Sequence, residues 1–211
     1  MKKKLLAIML CLIFVASLLP ISAWAADSGT CGENLTWSFD RSTGILTISG
    51  TGAMGFEQEP WFEHRSKITE VIIQKGCTYI CQSAFATSRN LHTVTLPSTL
   101  NIIGPYAFIN CSMLSNVNLD YVTEIQNCAF ENTGFTKLDF PISVTKIGDH
   151  AFASCQGLTH IKLPANLKEI GSSAFANCNG LTDIIIPDRV TVIGAYAFCA
   201  FLLWGMTSQI G

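Results

Sequence analysis

The sequence predicts an α/β repeat solenoid. Its strands would align into one parallel β-sheet on a concave face, with short helical or irregular segments on the convex face and a β-hairpin cap at the N-terminal end. Two observations carry this expectation. Residues 147–192 read IGDHAFASCQGLTHIKLPANLKE and then IGSSAFANCNGLTDIIIPDRVTV, two 23-residue copies of one pattern. Ala-Phe dyads also recur at Ala84-Phe85, Ala107-Phe108, Ala129-Phe130, Ala151-Phe152, Ala174-Phe175 and Ala197-Phe198, at spacings of 23, 22, 22, 23 and 23 residues. Units of this length cannot bury an apolar face alone, so they must stack.

Taken in order, residues 1–25 read as a secretory signal. Lys2, Lys3 and Lys4 precede an apolar run of fifteen residues, Leu5 to Leu19, and Ala23-Trp24-Ala25 supplies the small-residue cleavage pattern. Cleavage is expected after Ala25. The run is shorter than the roughly 20 residues a membrane-spanning helix needs. No later stretch is long enough either, so no transmembrane segment is expected after signal cleavage. Without the signal, 10 basic residues face 15 acidic ones, a net charge of −5. No basic run remains, which excludes a nucleic-acid footprint.

Residues 26–66 form the expected hairpin cap. Leu35, Trp37 and Phe39 alternate with polar residues at the period of a half-buried strand. Asp40 to Gly44 make a polar turn, and Leu46 and Ile48 place one apolar face on a second strand. Pro60-Trp61-Phe62 adds apolar area to the same end. The cap is required because an uncovered first coil would expose apolar surface and an open strand edge.

Residues 67–198 carry the repeats: a partial unit with a strand from Ile68 to Ile73, five full units from Ile80, and the start of a sixth. One half of each unit has a strand signature: Leu91-Val94-Leu96, Leu114-Val117-Leu119, Phe135-Leu138-Phe140, Leu158-Ile161-Leu163 and Leu181-Ile184-Ile186. Pro97, Pro141, Pro164 and Pro187 end these strands by removing a ladder N–H. In the other half, Gly104, Gly148, Gly171 and Gly194 would permit a tight bend. The dyad Ala leaves room for the Phe ring to insert.

Eight cysteines lie beyond the signal. Cys111, Cys155 and Cys178 share one slot, three residues after a repeat Phe, and suit buried thiols. Cys77 and Cys81 are the best candidates for a disulfide among the rest, which include Cys31, Cys128 and Cys199. No cysteine or histidine spacing suits zinc, and no metal or other cofactor is expected.

The L-x-x-I-x-L strand motif at this period resembles a leucine-rich-repeat coil. The longer form I-G-x-x-A-F-x-x-C-x-x-L-x-x-I-x-L-P resembles the BspA-type repeats of bacterial secreted and surface proteins. Residues 34–54, N-L-T-W-x-F-D to G-x-G-x-M, are similar to the module that often precedes such repeats. The resemblance covers residues 31–198 and implies an adhesin-like, non-catalytic role at the cell surface or outside the cell. Cys81 and Gln126 depart from it at the Gly slot, Ser88 and Thr133 at the Cys slot, and Asp120 at the Pro slot. After Phe198 the pattern stops, so residues 199–211 are expected to be an aberrant or truncated tail; the alternative is an apolar cap from Phe201, Leu202, Leu203 and Trp204.

The candidate binding residues form two columns on the concave sheet. Thr93, Asn116, Lys137, His160 and Asp183 precede the central strand residue, and Thr95, Asn118, Asp139, Lys162 and Ile185 follow it. They vary where the core slots do not, the pattern of a recognition surface on a fixed scaffold. The mixed charges suit a protein or glycan partner. His64, His92, His150 and His160 are expected on the surface, and no catalytic constellation stands out. The competing expectation is a structural or assembly fragment of a larger cell-envelope repeat protein. Self-association through a bare C-terminal sheet edge is also expected.

Overall fold

The computed structural model describes residues 27–55 and 59–199. The signal segment therefore lies wholly outside the described residues, as does the apolar tail apart from Cys199. In chain order the strands are β1 (Ser28–Thr30), β2 (Asn34–Asp40), β3 (Ile45–Ala53), β4 (Glu70–Ile73), β5 (Cys77–Ile80), β6 (Thr93–Thr95) and β7 (Ile102–Ile103). They continue as β8 (Asn116–Val117), β9 (Glu124–Ile125), β10 (Lys137–Asp139), β11 (Lys146–Ile147), β12 (His160–Lys162), β13 (Glu169–Ile170) and β14 (Val192–Ile193).

The cap is the expected hairpin with one added strand. β2 and β3 pair antiparallel from Asn34↔Thr51 to Asp40↔Ile45, and β1 pairs outside β2. Leu35, Trp37 and Phe39 are buried and the residues between them are exposed, as the period-two pattern requires. β3 is the root of the solenoid. Its residues Ile45 to Ile48 pair in parallel with β4, while Gly52 and Ala53 pair with β5. Two parallel ladders grow from that one strand, where the sequence suggested one. The first runs β4-β6-β8 and carries the L-x-x-I-x-L motif. The second runs β5-β7-β9-β11-β13-β14 and carries the segment before each repeat Gly.

The third side of each coil holds the Ala-Phe dyads, and short helices are not found there. The one helix among the described residues is a single 3-10 turn at Phe62–His64 in the cap. The cause is a left-handed backbone at two non-glycine positions per coil, one residue before the Ala and two after the Phe. Ser83 and Thr87, Tyr106 and Asn110, and His150 and Ser154 have φ between 55° and 61°. A right-handed helix cannot propagate through such residues. Alternate N–H groups then reach the next coil instead. Ser83, Phe85 and Thr87 donate to the carbonyls of Pro105, Ala107 and Ile109 at 3.0, 2.8 and 2.7 Å. The amides of Ala84 and Ala86, between them, turn back to Cys81 and Ser83. The convex segments thus form a third inter-coil ladder.

The repeat glycines serve close approach, not the bend expected of them; none of the four has a positive φ. A Cβ on Gly171 would sit 2.4 Å from the Asp149 amide nitrogen, and one on Gly194 would sit 2.2 Å from that of Ser172. Any side chain there would push neighbouring coils apart.

The core is a column of stacked rings. Phe85, Phe108, Phe130, Phe152, Phe175 and Phe198 follow one another at centroid distances of 5.2, 5.2, 5.3, 5.5 and 5.6 Å, with interplanar angles of 14° or less. Trp61 starts the column, 5.3 Å from Phe85 and fully buried. Its indole Nε1–H donates to the Ala84 carbonyl at 2.8 Å. In later coils the same carbonyl accepts the backbone N–H of the preceding Phe. The cap therefore supplies from a side chain the bond that a missing coil would have supplied from its backbone, as a terminal unit must.

Cys111, Cys155 and Cys178 are buried free thiols. Each donates S–H to the carbonyl of a preceding Phe, at 3.1, 3.3 and 3.2 Å. Burial pushes the Cys111 and Cys178 thiols up to about 12. Cys77 and Cys81 are also free thiols, contrary to the expected pair. Cys77 opens strand β5 and Cys81 follows its last residue; four steps of strand span roughly 13 Å, beyond the reach of a disulfide. His64 is a second correction. It is buried at 2% exposure, stacked 4.7 Å from Phe39, with Nε2 3.4 Å from Asp27 Oδ1.

Candidate binding face

The register of the first ladder builds the columns. Glu70, Thr93 and Asn116 lie side by side, as do Lys137 and His160, and Asp139 and Lys162. Beneath them Val94, Leu138 and Ile161 are buried. Thr95, Asn116, Lys137, Asp139, His160 and Lys162 are exposed and Thr93 is half-buried. His160 Nε2 lies 3.5 Å from Asp139 Oδ1. Exposed pairs of this kind add little to stability, so these side chains are not needed to hold the coil.

Three expected residues play other parts. Asp183 and Ile185 belong to a segment that pairs with no strand, and Ile185 is 86% exposed. Asn118 is occupied by the fold. Its Oδ1 accepts from the Leu96 amide at 2.7 Å and its Nδ2 donates to the Leu96 carbonyl at 3.1 Å. One side-chain amide thereby replaces a rung of the ladder.

The ladder breaks on the other side of β8. β8 pairs with β6 but not with β10, and β10 pairs only with β12. Two adjacent single-residue deletions lie at this break. Leu119 to Val122 spans three steps, where Leu96 to Leu100 and Leu163 to Leu167 span four. Thr133 to Phe135 spans two, where Cys111 to Leu114 and Cys155 to Leu158 span three. With the chain short on both sides, the Gly134 amide bonds to the Leu114 carbonyl at 3.0 Å, and the strands do not meet. The other two ladders stay closed across the same coils: β9 pairs with β7 and β11, and Phe130 stacks on Phe108 and Phe152. The result is a wedge-shaped cleft of about 210 Å³. Asn116, Asn118 and Asp120 line it from one coil, Lys137 and Asp139 from the next, and Phe135 also contributes.

Sequence reasoning missed this cleft, although the two 22-residue spacings and Asp120 in the Pro slot were its signals. It also missed the outward column of the second ladder, Tyr79, Ile102, Glu124, Lys146, Glu169 and Val192. There Lys146 Nζ sits 3.6 Å from Glu124 and 3.8 Å from Glu169. Among the described residues, no cluster of His, Cys, Asp and Glu could hold a metal ion. No helix among them is long and apolar enough to cross a membrane.

Fold and face together define a leucine-rich-repeat coil: an invariant stacked core carrying a variable, polar strand face. The sequence matches the BspA type leucine rich repeat region in six copies, over residues 58–125 and 123–203, and the chain belongs to that family. Among solved structures it is similar to a leucine rich cell surface protein from Faecalibacterium prausnitzii, with 27% identity and a TM-score of 0.63; the match covers 82% of this chain and 52% of that one. It is also similar to a leucine-rich repeat protein from Eubacterium ventriosum, with 23% identity and a TM-score of 0.59, covering 82% of this chain and 63% of that one. The chain thus spans less than two thirds of the length of either relative. A comparison with curated proteins gives no significant match.

Proposed function

We propose that this chain is a secreted or cell-surface binding module, non-catalytic, that adheres to extracellular or host proteins or glycans through its strand face. The observation that carries the reading is the pair of exposed polar columns, in register, over buried aliphatic residues that do not vary in kind. The surface location of the Faecalibacterium relative agrees with it. The test is binding of the purified chain, from Ala26 onward, to immobilised extracellular-matrix proteins and intact host cells. Lys137→Ala, His160→Ala and Lys162→Ala together should weaken saturable binding by about tenfold or more, since each removes an exposed contact at the centre of the face. Unchanged binding would move the site off this face, and no binding by the folded chain would sink the reading.

One observation favours a second reading, an assembly piece of a larger envelope protein. On the last described coil Ile185, Val192 and Ile193 are at least half exposed. Such an edge suits pairing with a second copy. Sedimentation over a range of concentrations should then show self-association that Val192→Lys abolishes; a monomer at every concentration would remove this reading.

A further inference from the structure

We propose that the wedge between β8 and β10 is a carbohydrate subsite that takes one neutral hexose residue of a glycan, a refinement resting on the binding role of the strand face. Size is the first argument. At about 210 Å³ the cleft is too small for a drug-sized ligand, whose sites run from roughly 300 Å³ upward, but it suits a single ring of about a dozen heavy atoms.

The lining chemistry is the second argument. The Asn116 amide offers both donors and an acceptor, Asp120 and Asp139 offer acceptors, and Lys137 offers donors. A sugar hydroxyl is donor and acceptor at once, so a polyol satisfies such a mixed set where a purely accepting anion does not. One cation against two carboxylates also disfavours phosphate or a uronic acid.

The apolar part of the lining comes from Leu119, Phe135, Leu138 and Pro141. The exposed Tyr121 and Ile142 follow the lining residues Asp120 and Pro141 in sequence, where the other coils hold Ser98, Ala165 and Asp188. An aromatic face attracts the weakly positive C–H face of a hexose.

The experiment is an NMR titration of the chain from Ala26 with the methyl glycosides of glucose, galactose, mannose and N-acetylglucosamine, with methyl glucuronide alongside. At least one neutral glycoside should bind with a Kd in the millimolar range, as a ligand of about a dozen heavy atoms permits. Asp139→Ala and Asn116→Ala should each weaken it about tenfold, the loss expected when a directed polar contact is removed. Glu33→Ala, exposed in the cap and away from the strand face, should leave it unchanged, and thermal melts of all three should match the parent. No saturation by about 50 mM, a span that covers millimolar affinities, would overturn the proposal. So would equal binding by the cleft variants or tighter binding of the glucuronide. If matrix proteins or cells bind and the triple variant of the strand face does not, while no glycoside saturates, the subsite fails and the binding face stands. If a glycoside binds at the cleft and neither matrix nor cells do, the subsite stands and the adhesive role fails.

Discussion

The Ala-Phe side and the strand side of this solenoid are built from the same coils, yet one is continuous and the other is broken. On the Ala-Phe side every Phe from Phe85 to Phe175 donates its amide to the Ala carbonyl of the next coil at 2.7 or 2.8 Å, and each ring stacks on the next. On the strand side the ladder lapses between β8 and β10. The deletions at that break lie in the segments flanking the strands and leave the dyads in register. Order on one side lets the other vary in length and sequence without loss of the coil. That is the division a recognition scaffold needs.

The comparison is most severely tested by removing rings from the intact side. Phe152→Ala removes a fully buried ring and should cost about 3–5 kcal/mol, with a single, lowered transition in a denaturant melt. Phe130→Ala deletes the ring behind the broken ladder. There the same loss should split the melt into two steps, because coils on either side retain only the second ladder and the remaining dyad bonds. A single transition for Phe130→Ala would show that the break does not weaken coupling.

A smaller effect is expected where the intact side begins. Trp61→Phe keeps an aromatic rung but leaves the buried Ala84 carbonyl without its indole donor. The expected loss is about 1–3 kcal/mol, the cost of an unsatisfied buried acceptor. A change within a few tenths of a kcal/mol would mean that ring area, not the hydrogen bond, makes the cap.

The smallest effect concerns pH. Burial pushes the Glu59 carboxyl up to about 7, with Arg65 partly opposing the shift, and its Oε2 has no hydrogen-bond partner. The folded state thus holds this proton more tightly than the unfolded chain, where the group titrates near 4.5. Its contribution is complete below that value and is lost as the pH rises towards 7. Denaturant melts from pH 4 to 8 should show the decline, and Glu59→Gln should flatten it. Parallel slopes for the two proteins would contradict the assignment.

The core was legible because its slots repeat: Phe, Ala and the strand aliphatics recur at fixed offsets, and stacking is what repetition requires. The cap was legible from the alternation of Leu35, Trp37 and Phe39. The second ladder was not, because β7, β9, β11 and β13 are two residues long and so short a strand has no detectable period. The convex side looked helix-like because the polar residues between the apolar ones give no hint of backbone sign. Serine, tyrosine and histidine at Ser83, Tyr106 and His150 do not advertise a left-handed conformation as glycine does. His64 lies in the cap, where no repeat tells inside from outside. Of the candidate face, the columns were legible from the strand period. The cleft was not, because a single missing residue alters the register of neighbours that are distant in sequence.

The slot thiols carry a consequence for measurement. Cys111, Cys155 and Cys178 lie in separate coils, and each is buried and bonded to a Phe carbonyl. Cys199, by contrast, is exposed. A soluble alkylating reagent can reach a slot thiol only when its own coil opens. Resolved by mass spectrometry, the labelling rates would report opening one turn at a time. The protein thus carries, at natural positions, a set of chemical clocks strung along its length.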